Sequence, residues 1–134
     1  MRVPPLRRAA LSLAVASCLL PLTAAPAAAD SPPAASFVFI TQYLDGSGHQ
    51  SVRTLECDPD GGTHHAATFA CDVLRSVDGD LAAVPPLHDP CYAEPQPMRA
   101  IAVGYWHGRR VHHGLVASDP CDLMSRGGGV FPVQ

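Results

Sequence analysis

The chain has 134 residues, 9 arginines but no lysine, 12 acidic residues and a formal net charge of −3. Without a cluster or stripe of basic side chains it excludes nucleic-acid binding, which depends on grouped Lys and Arg on phosphate. No nucleophile elbow, phosphate-binding glycine loop or zinc-protease helix is present, so the chain is read as a non-enzyme that takes no cofactor.

Residues 1–29 read as an export signal. Arg2, Arg7 and Arg8 form a positive start, Ala9 to Leu22 an apolar stretch, and Ala27-Ala28-Ala29 the small residues before cleavage at Asp30. The apolar stretch is shorter than the about 20 residues that span a bilayer. Arg7-Arg8 also fits a twin-arginine signal, and Val15-Ala16-Ser17-Cys18 a lipoprotein box, so the export route stays open. Cleavage leaves 105 residues with six arginines against 12 acids, a secreted, single-domain chain without a membrane segment.

Residues 30–36, rich in Pro, Ala and Ser, are expected to be a disordered arm, and 37–134 the domain. Phe37 to Tyr43 is dense in β-branched and aromatic residues and predicts a strand; Ser51 to Cys57 predicts its partner across the Asp45–Gly48 turn. Thr63 to Val77 changes period. Phe69, Val73 and Val77 recur at four-residue steps beside Ala66 and Ala70, which predicts a helix with that face inward, capped by Thr63 or Thr68 and ended at Asp78-Gly79. Asp80 to Val84 predicts a short helical turn before Pro85-Pro86. Leu87 to Pro97 is too proline-rich for a central strand. Met98 to Trp106 and Arg109 to Ala117 predict a hairpin about His107-Gly108, and Val130 to Val133 an edge strand. The class is α+β with an antiparallel sheet.

Four cysteines remain after export: Cys57, Cys71, Cys91 and Cys121. An even count in a small exported domain implies two disulfides. Three connectivities are open, of which the nearest-neighbour one pairs Cys57 with Cys71 and Cys91 with Cys121. No two cysteines have zinc-knuckle spacing. His112 and His113 are adjacent on a predicted strand and face opposite sides; His64-His65 have the same difficulty. No metal site is expected, and the histidines are read as surface or cap residues.

The segment Asp89-Pro90-Cys91-Tyr92-Ala93-Glu94-Pro95-Gln96-Pro97 carries the chemistry. Prolines restrict the free loop and Cys91 pins it, so it would lose little freedom on binding. A stiff, extended loop of this kind suits a protease cleft, which binds extended chain.

Thr54-Leu55-Glu56-Cys57, Gly62-Thr63-His64, Gly79-Asp80-Leu81, the stretch Gly104-Tyr105-Trp106-His107-Gly108-Arg109-Arg110-Val111 and Gly129-Val130-Phe131, with the order of the four cysteines, resemble the Streptomyces subtilisin inhibitor family from about Phe37 to Phe131. The resemblance implies a five-stranded antiparallel sheet with two helices on one face, and the pairs Cys57–Cys71 and Cys91–Cys121. It implies a homodimer through the sheet and inhibition of subtilisin-like serine proteases; the small side chain of Ala93 argues for elastase-like targets as well. The reactive bond would be Ala93–Glu94, with Pro90, Cys91, Tyr92 and Pro95 in the reactive loop and Asp119 supporting it from behind. The chain departs from the family in carrying Tyr92 where proline is usual, Ala93 where Met, Lys or Arg is common, Pro95 in place of an amide donor, and Asp119 where asparagine is usual. A non-inhibitory binding module on the same scaffold, or an inhibitor of another protease class, is the alternative.

Overall fold

The computed structural model describes residues 32–133; the expected export signal lies outside them. Strand β1 (Ala35–Tyr43) starts two residues before the expected Phe37, because Ala35 is already buried and paired with Cys57 and Trp106, so the last two residues of the expected arm belong to the sheet. Strand β2 (Gln50–Cys57) returns beside it, and β3 (Gly61–Gly62) adds a short edge. Helix α1 (Ala67–Ser76) and a 3-10 turn (Leu81–Ala83) follow, then the long segment to β4 (Met98–Trp106), β5 (Arg109–Ala117) and α2 (Pro120–Arg126). The five strands run β3-β2-β1-β4-β5, every neighbour antiparallel.

Period-2 alternation decides the layers. Ala35, Phe37 and Phe39 of β1, Leu55 and Cys57 of β2, and Met98, Ala100, Ala102 and Trp106 of β4 are buried on one face. Both helices close that face, through Ala70, Cys71 and Leu74 of α1 and Leu123 of α2. The opposite face carries Val38, Ile40, Val52, Ile101, Val103, Tyr105 and Val116 with no layer over it among the described residues. Ile40 lies between Val52 and Ile101, and Val38 beside Val103, so this face is continuously apolar at its centre.

Two glycines allow close approaches that a side chain would block. A Cβ on Gly104 would lie 2.1 Å from the Ser36 carbonyl oxygen; one on Gly79, at φ +72°, would lie 2.2 Å from the Trp106 ring. Trp106 Nε1 donates to Asp78 Oδ1 at 2.9 Å, and Arg109 bonds the same residue, so the β4–β5 hairpin is tied to the end of α1.

Three local expectations are corrected. Helix α1 starts at Ala67, not Thr63, because Thr63 and Thr54 exchange backbone-to-hydroxyl bonds of 2.8 and 3.0 Å and extend the sheet edge; neither Thr63 nor Thr68 caps the helix. Its inward face is Ala70-Cys71-Leu74, and Phe69 is 46% exposed, since the bond from Cys71 to Cys57 turns that side of the helix toward the sheet. Val130 to Val133 forms no strand. The turn at Gly127-Gly128-Gly129 carries the tail under the sheet, where Phe131 meets Phe39 edge-on at 5.4 Å. The edge position belongs to Gly61–Gly62.

Candidate functional site

The segment between the 3-10 turn and β4 has no regular structure, and residues 88–97 are exposed throughout. It is nonetheless held from behind at three points. Before it, the Leu87 amide donates to the Ser125 carbonyl at 2.8 Å, and the Ser125 hydroxyl donates back to the Leu87 carbonyl at 2.6 Å. Within it, Cys91 is joined to Cys121. After it, the Gln96 amide donates to the Ser118 carbonyl at 3.0 Å; the Leu44 amide then meets the Pro97 carbonyl at 2.8 Å, where β4 is about to start. Both disulfides expected from the resemblance, Cys57–Cys71 and Cys91–Cys121, are formed.

Among the described residues, nothing in the protein hydrogen-bonds residues 88–95. The amides of Tyr92, Ala93 and Glu94 are therefore free to meet another chain, whereas Pro90 and Pro95 have no amide hydrogen to offer. Tyr92 is 96% exposed, an unusual position for a large aromatic side chain on a free surface. A shallow hollow of about 350 Å³ lies behind the apex, lined by Asp89, Cys91, Tyr92, Ala93, Asp119 and Asp122 among others.

Helix α2 presents its near face to this loop because Cys121, Asp122 and Ser125 recur at helical spacing. Its start is specified locally. Asp119 is the N-cap and accepts from the Asp122 amide at 2.9 Å, while Pro120 occupies the first turn, where its missing N–H is no loss. Asp122 reaches back and accepts from the Ser118 amide at 2.9 Å. Asp119 also accepts from the Ser118 hydroxyl, and these bonds, the Asp122 amide first, hold its carboxyl below the usual carboxylate range. Asp119 lines the hollow, but its hydrogen bonds go to its own helix and to Ser118, and none reaches the loop. The family pattern places Ser118 in the segment Ser118-Asp119-Pro120-Cys121 behind the loop, but it does not point to Asp122 or Ser125. The signal was an acid, then proline, then a second acid three residues after the first, the pattern of a helix start.

The histidines also sort by position. His112 is exposed and His113 half-buried, on opposite faces of β5. His64, read as a surface or cap residue, is buried. Its Nε2 donates to the Val130 carbonyl at 2.9 Å and its Nδ1 accepts from the Ala66 amide at 3.0 Å, so it pins the chain entering α1 to the C-terminal tail. Burial pushes its pKa below the ordinary histidine value. Cys57, Asp60 and Cys71 lie close enough to suggest metal ligands, but the two sulfurs are bonded to each other and offer no thiolate.

Comparison with known proteins matches residues 35–118 to the subtilisin inhibitor-like family. Subtilisin inhibitor-like protein 1 of Streptomyces cacaoi is 36% identical over 86 residues, covering 61% of this chain and 78% of that protein. The transglutaminase-activating metalloprotease inhibitor of Streptomyces mobaraensis is 35% identical over 88 residues, covering 63% of this chain and 60% of that protein. Streptomyces caespitosus sermetstatin, solved in complex with Bacillus licheniformis subtilisin, aligns with a TM-score of 0.53 at 29% identity, over 74% of this chain and 98% of that one.

Proposed function

The chain belongs to the subtilisin inhibitor-like family, and we propose on that premise that it inhibits subtilisin-like serine proteases through the loop at residues 88–97, with Ala93–Glu94 as the reactive bond. The observation that carries this reading is the loop itself: exposed, without internal hydrogen bonds to break, tied to helix α2 through Ser125 and Cys121, and tied after its apex to Ser118 just ahead of that helix. A protease cleft binds extended chain by backbone pairing, and a loop already extended loses little freedom on entering it. Ala93 presents a small side chain to the primary pocket, which favours elastase-like and broad subtilisin-like enzymes over trypsin. Such an inhibitor is itself no enzyme.

Titration of the protein against subtilisin, elastase and trypsin tests the proposal. Inhibition of the first two at micromolar protein, with a single nick between Ala93 and Glu94, is expected. Absence of inhibition, with or without cleavage, would instead leave a binding module on the same scaffold. A nick between Tyr92 and Ala93 would move the reactive bond by one residue. A second reading, inhibition of a metalloprotease, is favoured by the similarity to the Streptomyces mobaraensis inhibitor; it predicts inhibition of a zinc endopeptidase that survives Ala93→Asp.

Two further features belong to this proposal. The two disulfides fit an oxidising compartment and hence export. The uncovered apolar sheet face, with Val38, Ile40, Ile101 and Val103 at its centre, fits a second copy of the chain, consistent with a homodimer. Val103→Glu should convert a dimer seen by light scattering to a monomer without unfolding it.

A further inference from the structure

The two flanks of the apex are held differently. The segment before Ala93 is tied covalently through Cys91–Cys121 and again at Leu87 by Ser125. The segment after Glu94 has no covalent tie, and its first hold on the body of the protein is the Gln96 amide on the Ser118 carbonyl. Ser118 precedes α2 and is fixed by the Asp122 carboxylate, whose Oδ2 accepts the Ser118 amide at 2.9 Å. Asp122 is fixed in turn by Arg126, whose Nη1 lies 3.4 Å from Oδ2 and donates to the Val116 carbonyl at 2.7 Å. A chain of contacts therefore runs from Arg126 through Asp122 and Ser118 to Gln96, two residues past the reactive bond.

We propose that Asp122 is a positioning residue for the leaving side of the loop, and that it helps decide whether the protein is an inhibitor or a substrate. The inference rests on Ala93–Glu94 being the reactive bond. Cleavage there adds one water and leaves a carboxylate on Ala93 and an ammonium on Glu94. Resynthesis on the enzyme expels that water and requires the amine to stay in place. Cys91–Cys121 keeps the carboxylate end where it was. On the other side, departure of Glu94 to Gln96 is opposed by the bond to Ser118, which holds its direction only while Asp122 orients the Ser118 peptide. With that support gone the amine end swings away, water completes the reaction, and the nicked chain is released. The flank lacking a disulfide depends most on its hydrogen bonds.

The test is the rate of cleavage of purified protein by subtilisin, with kcat and KM measured separately and the cut site read by mass spectrometry. Asp122→Ala should raise kcat for cleavage at Ala93–Glu94 roughly tenfold with KM little changed, the effect of one lost charge-assisted hydrogen bond. Asp122→Asn keeps an acceptor oxygen and should return kcat to near the native value. Ser125→Ala should have a smaller effect, because the disulfide still holds that flank. Gln96→Pro removes the same amide donor without touching α2 and should reproduce the rise even if Asp122→Ala does not fold. A merely structural role for Asp122 would lower the melting temperature and open cuts throughout the chain, and that result overturns the proposal. So does cleavage of both Asp122→Ala and Gln96→Pro at the native rate while the native protein inhibits. A native protein that is not cut at Ala93–Glu94 removes the reactive-bond reading, and this inference with it.

Discussion

The two disulfides make a comparison within one molecule. Cys57–Cys71 joins β2 to α1 with both residues fully buried, amid a core that includes Leu55, Phe37 and Leu74. Cys91–Cys121 joins an exposed loop to a short helix, with Cys91 on the surface and Cys121 half-buried. The first staples elements that other forces already hold; the second gives shape to residues that make almost no other contact. The same bond stabilises the fold in one place and limits the freedom of an exposed loop in the other.

The largest effect expected to sharpen this contrast comes from one side chain in each region. Phe39→Ala should cost about 3–5 kcal/mol in urea denaturation, because Phe39 is fully buried against Phe37 and Phe131. Tyr92→Ala, at a 96% exposed site, should stay within about 0.5 kcal/mol. Equal costs would mean the loop is packed in solution and the contrast is false.

Next come the bonds themselves. Replacing Cys57 and Cys71 by alanine should cost about 3 kcal/mol on the loop-closure scale for their separation of 14 residues. It should leave subtilisin cleavage confined to the reactive bond. Replacing Cys91 and Cys121 should cost a comparable amount and also speed that cleavage. Limited reduction followed by alkylation and peptide mapping should label Cys91 and Cys121 first, since only that pair is accessible to a thiol. Equal labelling of all four cysteines would break the comparison.

A smaller effect should fall on the loop alone. Ala93→Met adds about three heavy atoms to the primary pocket and should tighten subtilisin binding by about 2 kcal/mol, some thirtyfold, with the melting temperature unmoved. An unchanged inhibition constant would place the inhibitory surface elsewhere.

The smallest expected differences concern acid. Burial lowers the pKa of His64 in the folded state, so the unfolded chain takes up the proton first. Stability is full above the unfolded value, about 6.5, and declines as pH falls from there toward the folded value. Asp119 is also lowered, by accepting from the Asp122 amide and the Ser118 hydroxyl; its contribution is present above the unfolded carboxylate value and is lost as pH falls through the folded one. Urea midpoints measured from pH 7.5 downward should therefore soften the core near the tail before the helix under the loop. His64→Asn should flatten the upper part of the profile, and Asp119→Asn the lower. A native profile flat between pH 7.5 and 5 would refute the role given to His64.

Much of this molecule was legible from its residues. β1, β2, β4 and β5 follow from runs of β-branched and aromatic residues, and the hairpin turn from His107-Gly108. Helix α1 was visible in period but not in orientation. Phe69, Val73 and Val77 look like its inner stripe, yet a single helix contains several partly apolar faces, and the bond to Cys57 selects the one with Cys71. Helix α2 is short, and its packing rests mainly on one buried leucine, Leu123, so it gives little periodic signal. The tail read as a strand because Val130 and Phe131 are good strand residues. They are buried by side-chain packing beneath the sheet, which sequence alone cannot tell from burial within a ladder.

By itself the sequence determined the things that local chemistry fixes: alternating strands, proline-barred segments, an even set of cysteines in a domain with few cations, and a loop that cannot fold onto itself. It also carried a family pattern that named the residues of that loop. The tertiary structure alone decided which cysteine pair is buried, that His64 is a core pin, and that Ser125 of α2 holds the loop at Leu87 while Asp122 fixes the Ser118 peptide that holds Gln96. Those contacts join residues distant in the chain, Ser125 to Leu87 and His64 to Val130, and no local period encodes a partner 38 or 66 positions away.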